Sequence, residues 1–269
     1  MSLYSPQEIA VMASESGEKK ANLPLVTLLI LGFLGGAYIS LGFLLDIRVI
    51  ANVPKEWGSF TSFLGAAVFP VGLILVILGG AELVTGNMMT VTMAWLSKKI
   101  TFLKVLRNLF LVTIANFIGA VFVAYFFGHI VGLTEEGPFL AKTTAIAQAK
   151  LDESFLQAFI SAIGCNWLVC LAVWLALGSK DFTGKILGIW FPVMAFVAIG
   201  FQHVVANMFV IPAAIFAGQV TWAEYVPNFI AVFLGNVIGG AVLVSLLYFI
   251  AYKNSFGTKP KMISRTKSA

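Results

Sequence analysis

Charge is what this sequence has least of. Only 11% of its 269 residues are Asp, Glu, Lys or Arg, whereas 59% are hydrophobic, and the mean hydropathy is +0.96. Such a chain carries too little polar surface to cover a water-soluble globule. Cysteine is scarce as well. Cys165 and Cys170 both lie inside an apolar run, so neither a disulfide framework nor a metal site is indicated. Histidine occurs only at 129 and 203. There is no metal-ligand spacing, no nucleophile-base motif and no soluble domain to receive a product. These absences argue against an enzyme, and no cofactor or metal is expected.

Long apolar runs are what the chain has instead. They lie near 23–45, 62–97, 101–132, 154–178, 185–217 and 221–252, each long enough for a hydrocarbon core of ~30 Å, which takes about 20 helical residues. Six spans divide the chain into an N-terminal tail at 1–22, a transmembrane domain at 23–252 and a basic tail at 253–269. In the first tail, Ser5-Pro6-Gln7-Glu8 reads as a helix cap with proline at the first helical position, so a short interfacial helix is expected. No small-residue cleavage site follows the first apolar run, so the first span is expected to be retained.

With both termini on one face, 13 of the 17 Lys and Arg residues share that face; Arg48, Lys55, Lys142 and Lys150 fall opposite. The positive-inside rule then makes both termini cytoplasmic. The net charge of +5 reflects this topology and is not read as nucleic-acid binding.

An internal repeat organises the spans. Shifting the chain by 120 residues aligns 86–119 with 206–239 without a gap, with nine identities, among them Asn87/Asn207, Asn108/Asn228 and Asn116/Asn236. Each copy holds three spans, an odd number, so the copies enter the membrane from opposite sides. Inverted repeats with polar interruptions in corresponding helices point to a transport site near the midplane. Here the interruptions fall in the second and fifth spans, around Glu82, Thr85 and Asn87 in one and Gln202, His203 and Asn207 in the other. The first and fourth spans align less well. Gly32 with Gly36, and Gly235 with Gly239, have the spacing of close helix contacts.

Unwound backbone at membrane depth is tolerated only where protein or a water-filled cavity receives it. Both helices are expected to resume at about Asn87 and Asn207, pointing the positive ends of their dipoles at a shared centre that favours an anion. His203 is the ionisable residue of the second break and can donate a hydrogen bond or a proton to a weak-acid anion. His129 reads as interfacial. Glu82 is expected to turn from the pore and satisfy the unwound loop; facing the pore, it would repel anions. Thr85 is a hydroxyl donor toward His203 or a passing anion, or simply a cap. Lys150 either draws anions into a vestibule or pairs with Asp152 and Glu153.

Four stretches, GGAELVTGNMM at 79–89, AKLDESF at 149–155, GCNWLVCLAVWLA at 164–176 and GFQHVVANMFVIP at 200–212, together resemble the formate/nitrite transporter family, over essentially the whole chain. The resemblance implies an all-α, aquaporin-like integral membrane fold with the second and fifth helices broken. It also implies a homopentamer with one pore per protomer in a bacterial inner membrane, passing formate, nitrite or hydrosulfide, with a proton as a candidate coupled species and lipid as surroundings. By the same resemblance His203 is the central pore histidine, Thr85 lies opposite it, Lys150 is the vestibule lysine and Asn166 faces the pore. Phe69 and Leu73 are implied as the cytoplasmic constriction, and Leu83 with Phe196 as the external one. Two positions depart from the family pattern. Gln202 stands where formate-type members commonly have glutamate, and Val84 where they often have phenylalanine, which leaves nitrite and hydrosulfide open beside formate.

Two rivals remain. A neutral-solute pore like an aquaporin would share the architecture, but that family carries Asn-Pro-Ala at both half-helix starts, where this chain has GNM and ANM, and no arginine stands near either break. A membrane enzyme using His203 lacks the supporting groups named above.

Overall fold

The computed structural model of the chain describes residues 3–256; most of the basic tail, 257–269, lies outside the described residues. Among those residues no strand forms, and six stretches are long and apolar enough to cross a membrane: Leu25–Ile50, Ser59–Gly79, Phe102–Ile130, Phe155–Gly178, Phe182–Ile199 and Trp222–Phe256. The first, third, fourth and sixth expected spans thus stand as α2 (Leu25–Ile50), α6 (Phe102–Phe122), α8 (Phe155–Gly178) and α11 (Trp222–Val237). Beyond α6 and α11 the helices pass into π-helical turns, Val123–Ile130 and Ile238–Leu246, before α12 (Leu247–Tyr252).

The second and fifth spans are broken, as their polar interruptions require. The second consists of α3 (Ser59–Val68) and α4 (Val71–Gly79), divided at Phe69-Pro70, and then α5 (Val84–Leu96). The fifth consists of α9 (Phe182–Ile199) and α10 (Val204–Phe216). Gly80 (φ 84°) and Gly200 (φ 89°) end α4 and α9 in the left-handed conformation, which a side chain disfavours and glycine adopts freely. One expectation is corrected here. The half-helices begin at Val84 and Val204, three residues before Asn87 and Asn207. The reason is that both asparagines sit inside the first turn with their side chains committed elsewhere, so they are not caps.

The repeat also reaches further than the 120-residue shift shows. Asn116 Nδ2 donates to the Gly32 carbonyl (2.6 Å) and Asn236 Nδ2 to that of Ala162 (2.8 Å), which pairs α2 with α8 at a shift of 130. The connection from α8 to α9 is shorter than that from α2 to α3, so one fixed shift cannot align all three spans. α2 on α6 and α8 on α11 are the most extensive helix pairings. Glycines let them approach: a side chain on Gly36 would collide with the Asn116 backbone, and one on Gly239 with the Ile163 carbonyl.

The N-terminal helix α1 (Pro6–Ala21) has the anticipated capping box, with Ser5 and Glu8 bonded reciprocally (2.7 and 3.3 Å). These bonds hold the Glu8 carboxyl below the usual carboxylate range. Its buried face, Ile9, Ala10, Ala13, Ser14 and Gly17, packs chiefly on α5. On the opposite face α7 (Pro138–Leu151) packs on α10, so α1 and α7 are a further pair related by the repeat.

Candidate conduction pathway

Each break is closed by an asparagine from the neighbouring helix. Asn116 Oδ1 accepts the Val84 N–H (2.9 Å) while its Nδ2 donates to the Glu82 carbonyl (2.8 Å). Asn236 does the same for Val204 (3.0 Å) and Gln202 (3.2 Å). Buried backbone groups that an unwound segment would orphan are thereby paired. This is the architectural role behind the recurrence of Asn116 and Asn236, and the sequence signalled it by their identity without revealing their partners.

His203 is the N-cap residue of α10, and its Nδ1 accepts the Ala206 N–H at 3.1 Å. A nitrogen that accepts carries no hydrogen. In this arrangement the imidazole is therefore the neutral tautomer with its hydrogen on Nε2. Nε2 lies 3.1 Å from Thr85 Oγ1, so Thr85 accepts from the ring and keeps its own hydroxyl hydrogen to donate. Both residues are buried, and the His203 ring stacks on Phe196 with centroids 5.6 Å apart.

Two cavities enter the bundle from opposite faces. The one beside α1 is about 430 Å³ and includes Lys20, Glu82, Leu73 and Leu83 in its wall. The other, about 170 Å³, is lined by Asp46, Lys150, Phe69, Phe196 and His203 with their neighbours. Between them lies a space of about 10 Å³, no larger than about one water. Phe69, Leu73, Leu83 and Phe196 wall it, and among the described residues His203 is its one polar side chain.

The pairing of these apolar residues differs from the expectation. Leu73 and Leu83 face the α1 side, whereas Phe69 and Phe196 face the other, their rings meeting edge-on at 5.7 Å. Phe69 caps the end of α3, whereas Leu73 lies inside α4, beyond the break at Phe69-Pro70. Phe69 and Leu73 therefore fall at different depths.

Asn166 stands behind the break, outside the linings of these three cavities. Its Nδ2 donates to the carbonyls of Asn236 (2.6 Å) and Thr85 (3.3 Å), just where α11 passes into π-helical turns. His129 stands apart, paired with Glu135 at 2.6 Å.

Around the breaks the two halves carry matching polar chains. On the α1 side Lys20 Nζ meets Glu82 at 2.7 Å, and Asn87 donates to Glu82 (2.7 Å) and to Asn108 (2.9 Å), which donates to the Lys20 carbonyl (3.1 Å). On the other side Asn207 donates to Gln202 (2.7 Å) and to Asn228 (3.0 Å), which donates to the Lys150 carbonyl (2.9 Å). The difference is the amide. Gln202 turns its Nε2 to the Lys150 carbonyl (3.1 Å), leaving the Lys150 ammonium only a 3.5 Å contact to the Phe201 carbonyl. Among the described residues no carboxylate lies within ion-pair distance of it, Asp152 and Glu153 included. Lys20 was legible only as a topology charge, because its partner lies 62 residues away.

A family profile described as Formate/nitrite transporter matches residues 7–250. The chain belongs to that family. It is 66% identical over 262 residues to the uncharacterized transporter YrhG of Bacillus subtilis (strain 168), covering 97% of this chain and 98% of that one. It is 60% identical over 253 residues to the formate channel BtFdhC of Bacillus thuringiensis, covering 94% and 97%. Its fold matches a solved pentameric formate channel with formate bound at a TM-score of 0.76 and 30% identity, over 85% of this chain and 98% of that chain. The chain is thus a helical membrane channel or carrier and not an enzyme.

Proposed function

We propose that the protein passes small monovalent anions of weak acids, namely formate, nitrite or hydrosulfide, across a bacterial inner membrane as a homopentamer with one pore per protomer. The observation that carries this reading is His203, whose Nε2 hydrogen stands at the narrowest point of an otherwise apolar neck. The formate channel of Bacillus thuringiensis and the formate-bound pentamer support the substrate class and the assembly. The excess of Lys and Arg on the α1 face supports a cytoplasmic position for both termini, so the Lys150 cavity opens outward.

In this reading Lys150 and the N-terminal ends of α5 and α10 concentrate anions. The anion leaves most of its water at Phe69 and Phe196 and meets the Nε2 hydrogen of His203 and the hydroxyl of Thr85. Leu73 and Leu83 form the second apolar barrier. Carrying a bare charge past such walls costs several kcal/mol, and a hydrogen bond to the charge, or a proton on it, lowers that cost. With Nδ1 engaged by Ala206, the geometry favours hydrogen-bond donation by His203 over proton transfer from it. A proton that accompanies the anion then comes from elsewhere.

The experiment is uptake of formate, nitrite, hydrosulfide, acetate and chloride into proteoliposomes by wild type, His203→Asn and His203→Phe. Asparagine keeps a donor, so its flux is expected to stay within about tenfold of wild type, while phenylalanine loses about 10²-fold or more. Full flux through His203→Phe would remove the histidine from the mechanism, and water permeation without anion uptake would favour the neutral-solute pore.

A further inference from the structure

Asp46 is a carboxyl for which the reading above has no use. It lies in α2 near the face opposite α1, is only 5% exposed, and lines the same cavity as Lys150 and His203. Its Oδ1 has no hydrogen-bond partner. The oxygen rests against Gly65 of α3, where any side chain would collide with it, so a glycine makes the room that brings the carboxyl there. A buried oxygen of this kind is costly unless something pairs with it. Across the cavity, Lys150 is the complementary oddity, an ammonium with no carboxylate because position 202 is an amide. The α1 side shows the contrast, since there Lys20 and Glu82 neutralise each other.

We propose that Asp46 makes anion entry to this cavity proton-coupled: the site accepts an anion at Lys150 together with a proton on Asp46. The inference rests on the weak-acid anion reading above. With the cavity empty of substrate, the Asp46 carboxylate and the Lys150 ammonium balance each other across one cavity. An incoming anion takes over the lysine and leaves two negative charges in a cavity of about 170 Å³, an arrangement that like-charge repulsion disfavours until one of them is protonated. The proton comes from water at the cavity mouth and forms the O–H bond of the Asp46 carboxyl. When the anion moves toward the neck that bond breaks, the proton goes to the anion or back to water, and the carboxylate again balances the Lys150 charge across the cavity.

The other charged or titratable groups around Asp46 are few. Lys142 and Lys150 of α7 act on its charge, the buried Cys165 thiol of α8 and then Glu153 act on Lys150, and His203 shares the cavity. α3, α4 and α10 contribute none, and α9 with its C-cap Gly200 lines the cavity through Phe196 and Val197. His129, on the π-helical turns packed against α2, is held by Glu135. On α2 itself Arg48 bonds the Leu133 carbonyl and lies over the Phe139 ring.

The test is the half-saturating formate concentration in proteoliposomes, with pH varied on the Asp46 side alone between about 6 and 8. Linkage of one proton to one anion allows that concentration to rise by up to about tenfold per pH unit in wild type. Asp46→Asn and Asp46→Ser are neutral at every pH and are expected to hold it within about twofold over the range, with Asp46→Glu restoring the dependence. Retention of the wild-type pH dependence by Asp46→Asn or Asp46→Ser overturns the proposal. So does a fall in maximal rate that is equal at all pH values, which a structural role would give. A wild-type protein that takes up none of formate, nitrite or hydrosulfide instead removes the weak-acid anion reading itself.

Discussion

The side-chain amide of Asn116 bonds the Val84 N–H and the carbonyls of Gly32 and Glu82, tying α2, the first break and α6 together through one residue. Asn236 repeats the arrangement in the other half. Since a buried group left unpaired costs about 1–3 kcal/mol, Asn116→Ala is expected to destabilise the detergent-solubilised protein by about 3 kcal/mol or more. A thermal melt read against Gln219→Ala, whose side chain bonds only its own turn, checks this. The recurrence of both asparagines was legible in the sequence. Their partners were not, because the contacts cross 32 to 84 residues. His203 was visible as a rare polar group in a span, but its tautomer depends on Ala206 and Thr85 at known distances.

Elements here are stopped and started by local chemistry. Gly80 and Gly200 terminate α4 and α9 with positive φ, and nothing lies within 4 Å of where their side chains would be. Alanine at either therefore meets backbone strain alone, about 1–2 kcal/mol, without a steric clash. Gly80→Ala and Gly200→Ala are expected to lower the melting midpoint modestly while leaving assembly intact on size-exclusion chromatography. Gly36→Ala, which drives a methyl into the Asn116 backbone, is expected to cut the yield of folded protein sharply. The half-helices start three residues before the asparagines that mark them in the sequence, because the sequence shows polar side chains and not which backbone group each one serves. The depth of Phe69 relative to Leu73 was lost for a similar reason, since helical periodicity reports a face and not a height.

For the molecule as a whole, six spans with inverted halves leave the two ends of the described residues on one face, and we propose from the Lys and Arg bias that this face is cytoplasmic. Both native cysteines are fully buried, so single introduced cysteines can be read against a low background. An impermeant thiol reagent added to intact cells is expected to label Glu56→Cys and to spare Lys98→Cys; the reverse pattern would invert the orientation. The α1/α7 pair is a whole-molecule feature as well. Each helix lies over one mouth and brings a lysine to the polar chain at its break; Lys20 is paired with Glu82, whereas Lys150 has no carboxylate within ion-pair distance.

The sequence alone determined the membrane class, the six spans, the inverted repeat and the two interruptions, because hydropathy, charge bias and repeated residues are properties of the chain that burial in lipid reads directly. It also carried the family resemblance, which rests on local motifs. Tertiary structure decided how the halves differ. The neutral imidazole of His203 hydrogen-bonded to Thr85, the segregation of Leu73 with Leu83 from Phe69 with Phe196, and the meeting of Asp46 with Lys150 in one cavity all join side chains far apart in sequence. Charge balance inside a low-dielectric space depends on which groups share it, and only the fold brings those groups together.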